Sequence, residues 1–97
     1  MTMNAFIAGN MAAGKHYFDK STMRFFRSRV VKDSFCSDGY FITSEQYETN
    51  TERRYTIRCG NIVTFDVSSV SEFMQYATLR DARKALKALR IAEFATN

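Results

Sequence analysis

The side chains able to act as nucleophiles, bases or soft metal ligands are few in this sequence. It contains two cysteines, Cys36 and Cys59, and one histidine, His16. Zinc sites and cysteine nucleophiles need several such groups close together, usually marked by a CxxC pair or a further histidine. Neither CxxC, HExxH, GxSxG nor a phosphate-binding glycine loop is present. We therefore expect no catalytic residue, no metal site and no cofactor, and we predict that the protein is not an enzyme.

The two cysteines are predicted to be free thiols in a reducing cytoplasm, although one disulfide remains open in principle. Arg58 precedes Cys59 in the sequence, and a neighbouring cation would lower the pKa of the thiol. Alternation along a strand, however, puts these two side chains on opposite faces. The sequence therefore gives no sign of an activated cysteine.

The cations give a stronger signal, because five of them recur between residues 80 and 90. At 100° per residue they lie on an arc of about 120° of a predicted helix, beside or opposite its apolar stripe. The set is Arg80, Arg83, Lys84, Lys87 and Arg90. Such a face suits a phosphate backbone or an acidic protein surface. The alternative is an ordinary solvated helix face, where late cations also complement the helix dipole.

A second basic group belongs to the predicted strands. Arg54 and Arg58 alternate with apolar residues and project to one face, and Arg27 and Arg29 would lie beside them on another strand. Arginine binds phosphates and guanine edges in a bidentate manner, and nearby aromatic rings could stack on bases. The competing interpretation is cross-strand pairing with the acidic residues 45, 48 and 52. If the strands pair in this way, the polar faces of sheet and helix should point to opposite sides, so we expect no single basic surface.

The elements that position these residues follow an α+β order. We predict a short helix from Asp19 or Ser21 through Phe26, strands over about 27–35, 40–47, 54–59 and 62–67, a polar loop over 48–52, and a long helix over 79–94. Turn signals at 37–39 and 60–61 separate the strands, and Thr78 is placed to cap the long helix. Residues 68–77 fit either a short helix or a loop. The predicted fold is a three- to four-stranded antiparallel sheet, with the long C-terminal helix packed on one face and a short N-terminal helical segment.

Composition and charge place the chain among globular proteins. It has 97 residues, 45% of them apolar, and a net charge of +4. That charge is unevenly distributed, with six bases and one acid in residues 15–32 but five acids and no base in 33–52. No apolar run approaches the ~20 residues of a membrane span. We predict a single domain over 15–97, preceded by a tail or short helix over 1–14, without a membrane partner.

Four segments carry a resemblance to a known class of proteins. They are YFDKSTMRFF (17–26), YFITSEQ (40–46), RRYTIR (53–58) and EFMQYATLRDARKAL (72–86). In this order they resemble small phage-encoded accessory proteins of uncharacterised function, over about residues 15–90. That resemblance implies a stoichiometric inhibitor of host machinery, of the anti-CRISPR or other anti-defence type, or a small nucleic-acid-binding regulator. The order of strands followed by a helix is also similar to AP2-like and integrase-arm DNA-binding domains, but a shared fold does not fix function.

These observations lead to one expected function and two alternatives. We expect a non-enzymatic accessory protein that binds and regulates a host protein, located in the cytoplasm, which is the host cytoplasm if a phage encodes it. The first alternative is direct nucleic-acid binding through the basic helix face and the sheet arginines. The second is a structural or virion-associated protein, and the sequence leaves the oligomeric state open.

Overall fold

A four-stranded antiparallel sheet lies at the centre of the protein. The computed structural model describes residues 1–49 and 51–95, so Asn50 of the predicted polar loop and residues 96–97 of the predicted domain lie outside the described residues. The elements are α1 (Met3–Ala12), α2 (Lys20–Phe25), β1 (Arg29–Val30), β2 (Tyr40–Glu45), β3 (Arg54–Gly60), β4 (Val67–Ser69) and α3 (Leu79–Ala95). The strand order is β1-β2-β3-β4, with every pair antiparallel. The predicted α+β fold is confirmed.

The C-terminal helix α3 packs on one face of the sheet, as predicted. Its buried residues Ala82 and Leu86 form the core there with Tyr40, Ile42 and Ile57 of the two central strands. The helix begins where the Thr78 hydroxyl oxygen accepts a hydrogen bond of 3.1 Å from the backbone N–H of Asp81, which supplies one of the partners that first-turn amides lack. The predicted apolar stripe of α3 is shorter in the structure, because Ala92 is exposed; the stripe predicted from the sequence is Leu79, Ala82, Ala85, Leu86, Leu89 and Ala92.

The N-terminal part of the chain covers the opposite face. Phe41, on that face of β2, contacts the rings of Phe6 and Phe18 at centroid distances of 6.3 and 6.2 Å. Phe6 of α1 is fully buried, and a Cβ atom at Gly60 would lie 2.3 Å from its ring, so glycine is required beneath it. The first 14 residues, predicted as a tail or short helix, therefore contain a helix packed on the sheet. All six residues of β2 are buried because both faces are covered.

Two predicted strands are wrong in extent. The first is reduced to Arg29–Val30, because Arg27 and Asp33 on either side adopt left-handed backbone angles, with φ of 50° and 62°. The predicted strand 62–67 is instead a turn followed by β4. There the side-chain oxygen of Asn61 accepts the amides of residues 63 and 64 at 2.8 and 2.9 Å, and this local capture competes with extended structure.

The segment left open between a helix and a loop, residues 68–77, contains the end of β4 and then a loop. The loop ends where Tyr76 forms an isolated antiparallel bridge with Tyr55. This bridge carries the chain from the edge of the sheet to the start of α3. No helix formed by the described residues is both long enough and apolar enough to cross a membrane.

Candidate functional site

The helix cations predicted as a binding face are largely exposed. We call Arg80, Arg83, Lys84 and Lys87 the α3 cation face, and all four side chains are exposed. The ion pairs that the described residues form, within 4.0 Å, lie elsewhere in the protein. Because Ala82 and Leu86 anchor the opposite side of the helix in the core, the four cations are held on a fixed scaffold.

Arg90, the fifth predicted cation, is only partly available. Its Nε donates a hydrogen bond of 3.0 Å to Oδ2 of Asp38, and both side chains are about one-third exposed. Arg83 donates a longer hydrogen bond, 3.3 Å, to the backbone carbonyl oxygen of Lys32. These contacts attach α3 to the loop that joins β1 and β2.

A groove runs between α3 and that loop. We call it the α3 groove; its volume is about 390 Å³. Its lining residues are Asp33, Ser34, Cys36, Arg83, Leu86, Lys87, Arg90 and Ile91. Three cations therefore stand around apolar side chains, an arrangement that suits a ligand carrying both negative charge and apolar surface.

Arg58, predicted to lie on an exposed sheet face, is instead buried against Glu45. The guanidinium lies 3.4 Å from the carboxylate, and the two side chains are 11% and 0% exposed. The cross-strand pairing considered as an alternative is therefore confirmed for Arg58. A buried charge of this kind is tolerated only when it is paired and hydrogen-bonded.

Further hydrogen bonds complete what we call the buried polar network, formed by Thr43, Glu45, Thr56 and Arg58. The Thr56 hydroxyl donates to Glu45 Oε1 at 2.7 Å and accepts the backbone N–H of Met74 at 2.9 Å. Arg58 donates to the hydroxyl oxygens of Thr43 and Ser69 at 3.1 and 2.6 Å. The network joins β2, β3, β4 and the loop before α3, so it acts as a structural connection.

Tyr17 lies over this network. The Arg58 guanidinium carbon is 5.9 Å from the centre of its ring. Burial raises the pKa of the Tyr17 phenol, Arg58 acts in the opposite direction, and the charge of Glu45 adds to the rise. The phenol is therefore neutral at neutral pH and does not supply a base. Sequence reasoning considered the pairing of Arg58 with Glu45 as an alternative but missed its burial, because alternation along β2 and β3 does not reveal that the polar face is covered.

The remaining sheet arginines do not form the common basic face that we predicted. Arg54 donates to the backbone carbonyl oxygens of residues 74 and 75 at 2.8 and 3.0 Å. Arg27 donates to the carbonyl oxygen of Tyr47. Arg29 is exposed, but its register partner is Ser44, which puts it on the α3 side of the sheet, away from Arg58. That prediction is wrong because backbone carbonyls bind Arg27 and Arg54, Glu45 binds Arg58, and Arg29 lies on the other face of the sheet.

The cysteines and the histidine are not assembled into a reactive centre. Both cysteines are free thiols, and burial raises the pKa of Cys36 despite the opposing charge of Arg90. A raised pKa leaves less thiolate at neutral pH and so a weaker nucleophile. His16 pairs through Nδ1 with Asp19 at 2.8 Å on the surface. Among the described residues, no three His, Cys, Asp or Glu side chains are grouped closely enough to hold a metal ion.

Fold and surface together define a small α+β domain whose sheet is covered on both faces. Residues 2–87 match the family described as Family of unknown function (DUF7447), and the chain belongs to that family. The match includes the first helix, which the phage-accessory resemblance left out, and all four residues of the α3 cation face. No curated protein and no solved structure matches the chain.

Proposed function

We propose that the protein acts by stoichiometric, non-catalytic binding, and that the α3 cation face docks on an acidic region of a partner protein. The observation that carries this proposal is the contrast among the cations. Arg27, Arg54 and Arg58 donate to groups of the protein itself. In the α3 cation face, Arg83 donates one longer bond, 3.3 Å, to the carbonyl oxygen of Lys32, and none of the four side chains forms an ion pair with the described residues. Exposed charges of one sign on a rigid element steer an oppositely charged partner and orient it on contact.

The α3 groove favours a protein partner over a bare polyanion. Its lining includes Leu86, which is buried, and Ile91, whose side chain is 58% exposed. An acidic segment that carries an apolar side chain would place its charges against Lys87 and Arg83 and its apolar group in the groove. Binding energy at such interfaces is concentrated in buried anchors surrounded by complementary charges.

We further propose that the partner is a host protein, in keeping with the phage-accessory role. Support for this step comes from the resemblance of the four sequence segments alone. Binding without chemistry agrees with that role, because an inhibitor needs only to cover a surface of its target. The virion-associated alternative stays a prediction, as does the cytoplasmic location.

The test compares two double charge reversals on different helices. Lys84→Glu/Lys87→Glu changes the α3 cation face, and Lys20→Glu/Arg24→Glu makes the matched change on α2. Proteins captured from a host lysate by the wild type, and lost with the α3 variant alone, are purified and titrated by calorimetry. We expect one-to-one binding, weakened by at least about tenfold in the α3 variant, which corresponds to about 1.4 kcal/mol.

The same titration identifies the outcomes that would contradict the proposal. Equal losses in both double variants would show that only the overall charge matters. Unchanged affinity in the α3 variant would remove the α3 cation face as the docking surface. Circular dichroism checks that both variants keep their helices, which is expected because all four side chains are exposed.

The first alternative, direct nucleic-acid binding, was to use the helix cations together with the sheet arginines, and two of those sheet arginines are not available. Arg54 and Arg58 donate to protein groups and are not presented together with the helix cations. Binding of a duplex through the α3 cation face alone stays a prediction. A gel shift that weakens in the α3 variant, and steeply with salt, would support it.

A further inference from the structure

We propose that a second site, separate from the α3 groove, binds single-stranded nucleic acid. The site is a pocket of about 330 Å³ between α2 and β1, which we call the α2–β1 pocket. Its lining residues are Lys20, Met23, Arg24, Arg27, Ser28 and Arg29. Sequence analysis singled out two of these cations, but as part of a sheet face that does not form.

The charge of the α2–β1 pocket is the first argument. Four of its six lining residues are cations and none is an acid. Among the described residues, the side chains of Lys20, Arg24 and Arg29 take part in none of the ion pairs. The nearby carboxylate of Asp19 is engaged by His16. Cations concentrated in this way repel one another, so an anion with several charges, such as a phosphate backbone, relieves the repulsion.

The shape of the pocket is fixed by an unusual backbone. Arg27 adopts a left-handed conformation with φ of 50°, which costs energy for a residue with a side chain. Arg53 stabilises this corner, because its guanidinium donates to the carbonyl oxygen of Arg27 and, at 2.8 Å, to that of Ser44. The cations of the pocket are thus presented by a corner that tertiary contacts hold in place.

Exposed aromatic rings beside the pocket are the second argument. Phe25 and Tyr47 are 76% and 61% exposed, and Phe73 is 37% exposed. With Phe26 they form what we call the aromatic platform, in which the ring of Phe26 lies 4.5 Å from Phe25, 6.0 Å from Tyr47 and 4.7 Å from Phe73. Large apolar side chains grouped on a surface usually mark a binding site.

Arg27 connects the two features. It lines the α2–β1 pocket, and its guanidinium donates to the carbonyl oxygen of Tyr47 in the aromatic platform. Phe25 follows Arg24 directly in α2. Cations for phosphates and rings for bases therefore adjoin on one part of the surface, which is the combination that proteins use to bind single strands.

A single strand fits these features better than a duplex does. In a duplex the base faces are stacked on one another, so exposed Phe and Tyr rings have no base to contact. An unpaired strand offers both its phosphates and the faces of its bases. Stacking is tolerant of sequence, so we expect weak preference among bases.

The experiment is fluorescence anisotropy with labelled oligothymidine and oligouridine of about 16 nucleotides, the upper end of known site sizes, titrated at several salt concentrations. We expect Lys20→Ala/Arg24→Ala to reduce the slope of log affinity against log salt by about 1.4, since each phosphate contact on a single strand contributes about 0.7. Phe25→Leu and Tyr47→Leu should each weaken binding by about fivefold or more, as expected for loss of base stacking, while leaving that slope unchanged. The matched control, Lys84→Ala/Lys87→Ala, should bind as the wild type does.

Several results would overturn this inference. They are absence of binding by the wild type at about 50 mM salt, a condition in which phosphate contacts are strong, equal losses in the α3 control, and tighter binding of the corresponding duplex. Polyglutamate that competes as well as the oligonucleotide would show that the pocket recognises charge without bases. Because the α3 variants test the protein partner and the α2 variants test the nucleic acid, either proposal can fail without the other.

Discussion

The two faces of the central β2–β3 pair are both buried, but by different means. On the α3 side, Ile42 and Ile57 pack against Leu86 and form an apolar core. On the N-terminal side, the same strands present Glu45 and Arg58, which are enclosed by hydrogen bonds and aromatic rings. The α3 side gains stability mainly from apolar burial, whereas the N-terminal side combines the packing of Phe41 against Phe6 and Phe18 with the pairing of buried polar groups. The comparison shows that alternation along a strand identifies two faces but does not tell which of them meets water.

The largest effect should come from breaking the buried polar network. Arg58→Ala leaves the fully buried carboxylate of Glu45 without its cation, and we expect the free energy of unfolding to fall by about 3–5 kcal/mol. Urea denaturation measures the loss. Arg58→Met/Glu45→Leu, which removes both charges, should recover much of it. A loss of less than about 1 kcal/mol in Arg58→Ala, the range of surface pairs, would mean that the pair is solvated.

A smaller effect is expected on the apolar face. Leu86→Ala creates a cavity between α3 and the sheet, and we expect a loss of about 2–3 kcal/mol, toward the lower end for such substitutions. Thermal and urea unfolding should agree on this value. Ile91→Ala is the control on the same helix, because its side chain is 58% exposed, and it should cost no more than about 0.5 kcal/mol. Equal losses of stability in the two variants would contradict the packing of Leu86 between α3 and the sheet.

Loss of the hydrogen bond at the start of α3 should lower the free energy of unfolding by less than either of these changes. Thr78→Ala removes the acceptor for the N–H of Asp81, and we expect a loss of about 1 kcal/mol. Thr78→Ser keeps the hydroxyl group and should retain most of the stability. Circular dichroism at 222 nm is the conventional probe of helix content, and both variants should remain folded at room temperature. If Thr78→Ser is as unstable as Thr78→Ala, the hydroxyl does not cap the helix.

The smallest effect is the change in stability at alkaline pH that Tyr17, on the N-terminal face, should cause. Burial raises the pKa of Tyr17 above its ordinary value, which is about 10, so the unfolded chain loses this proton first as the pH rises. The stability linked to Tyr17 is therefore complete below pH 10 and is lost between pH 10 and the higher pKa of the folded state. Tyr17→Phe should lose less stability than the wild type over this window in urea denaturation. If the stabilities of the wild type and of Tyr17→Phe fall in parallel over this pH window, the raised pKa of Tyr17 does not account for the loss.

The elements with a clear period were predictable. The 3.6-residue spacing of apolar residues located α3, alternation located β3 with its apolar face, and β-branched and aromatic residues located β2. The turn before β2 was predictable from Gly39, whose φ of 99° suits glycine because it has no Cβ. In each case the signal was local to the segment.

The remaining features depend on contacts between distant segments. Arg58 and Glu45 are 13 residues apart, and nothing in either strand shows that the N-terminal helices will cover them. The left-handed corner at Arg27 is stabilised by Arg53, 26 residues later. The α2–β1 pocket is lined by residues on both sides of this corner, Lys20 and Arg24 before it and Arg29 after it. Such sites could not be predicted from local pattern, because tertiary contacts overrule intrinsic preference.

The salt bridge between Arg58 and Glu45 also helps to set the register of the hairpin that β2 and β3 form. Side chains alternate between the two faces with a period of two, so a shift of β3 by one position past β2 would move Arg58 to the other face. There it would lie near Ile42 and Leu86, without a carboxylate to pair with. Sliding by two positions would keep the faces; because Arg58 lies opposite Phe41 and Glu45 opposite Arg54, it would separate the two charges in one direction and bring them nearer in the other. Hairpins mismatched by an odd number of positions thus carry an uncompensated charge into the apolar interior, which disfavours them relative to the observed pairing, with Thr43 opposite Thr56.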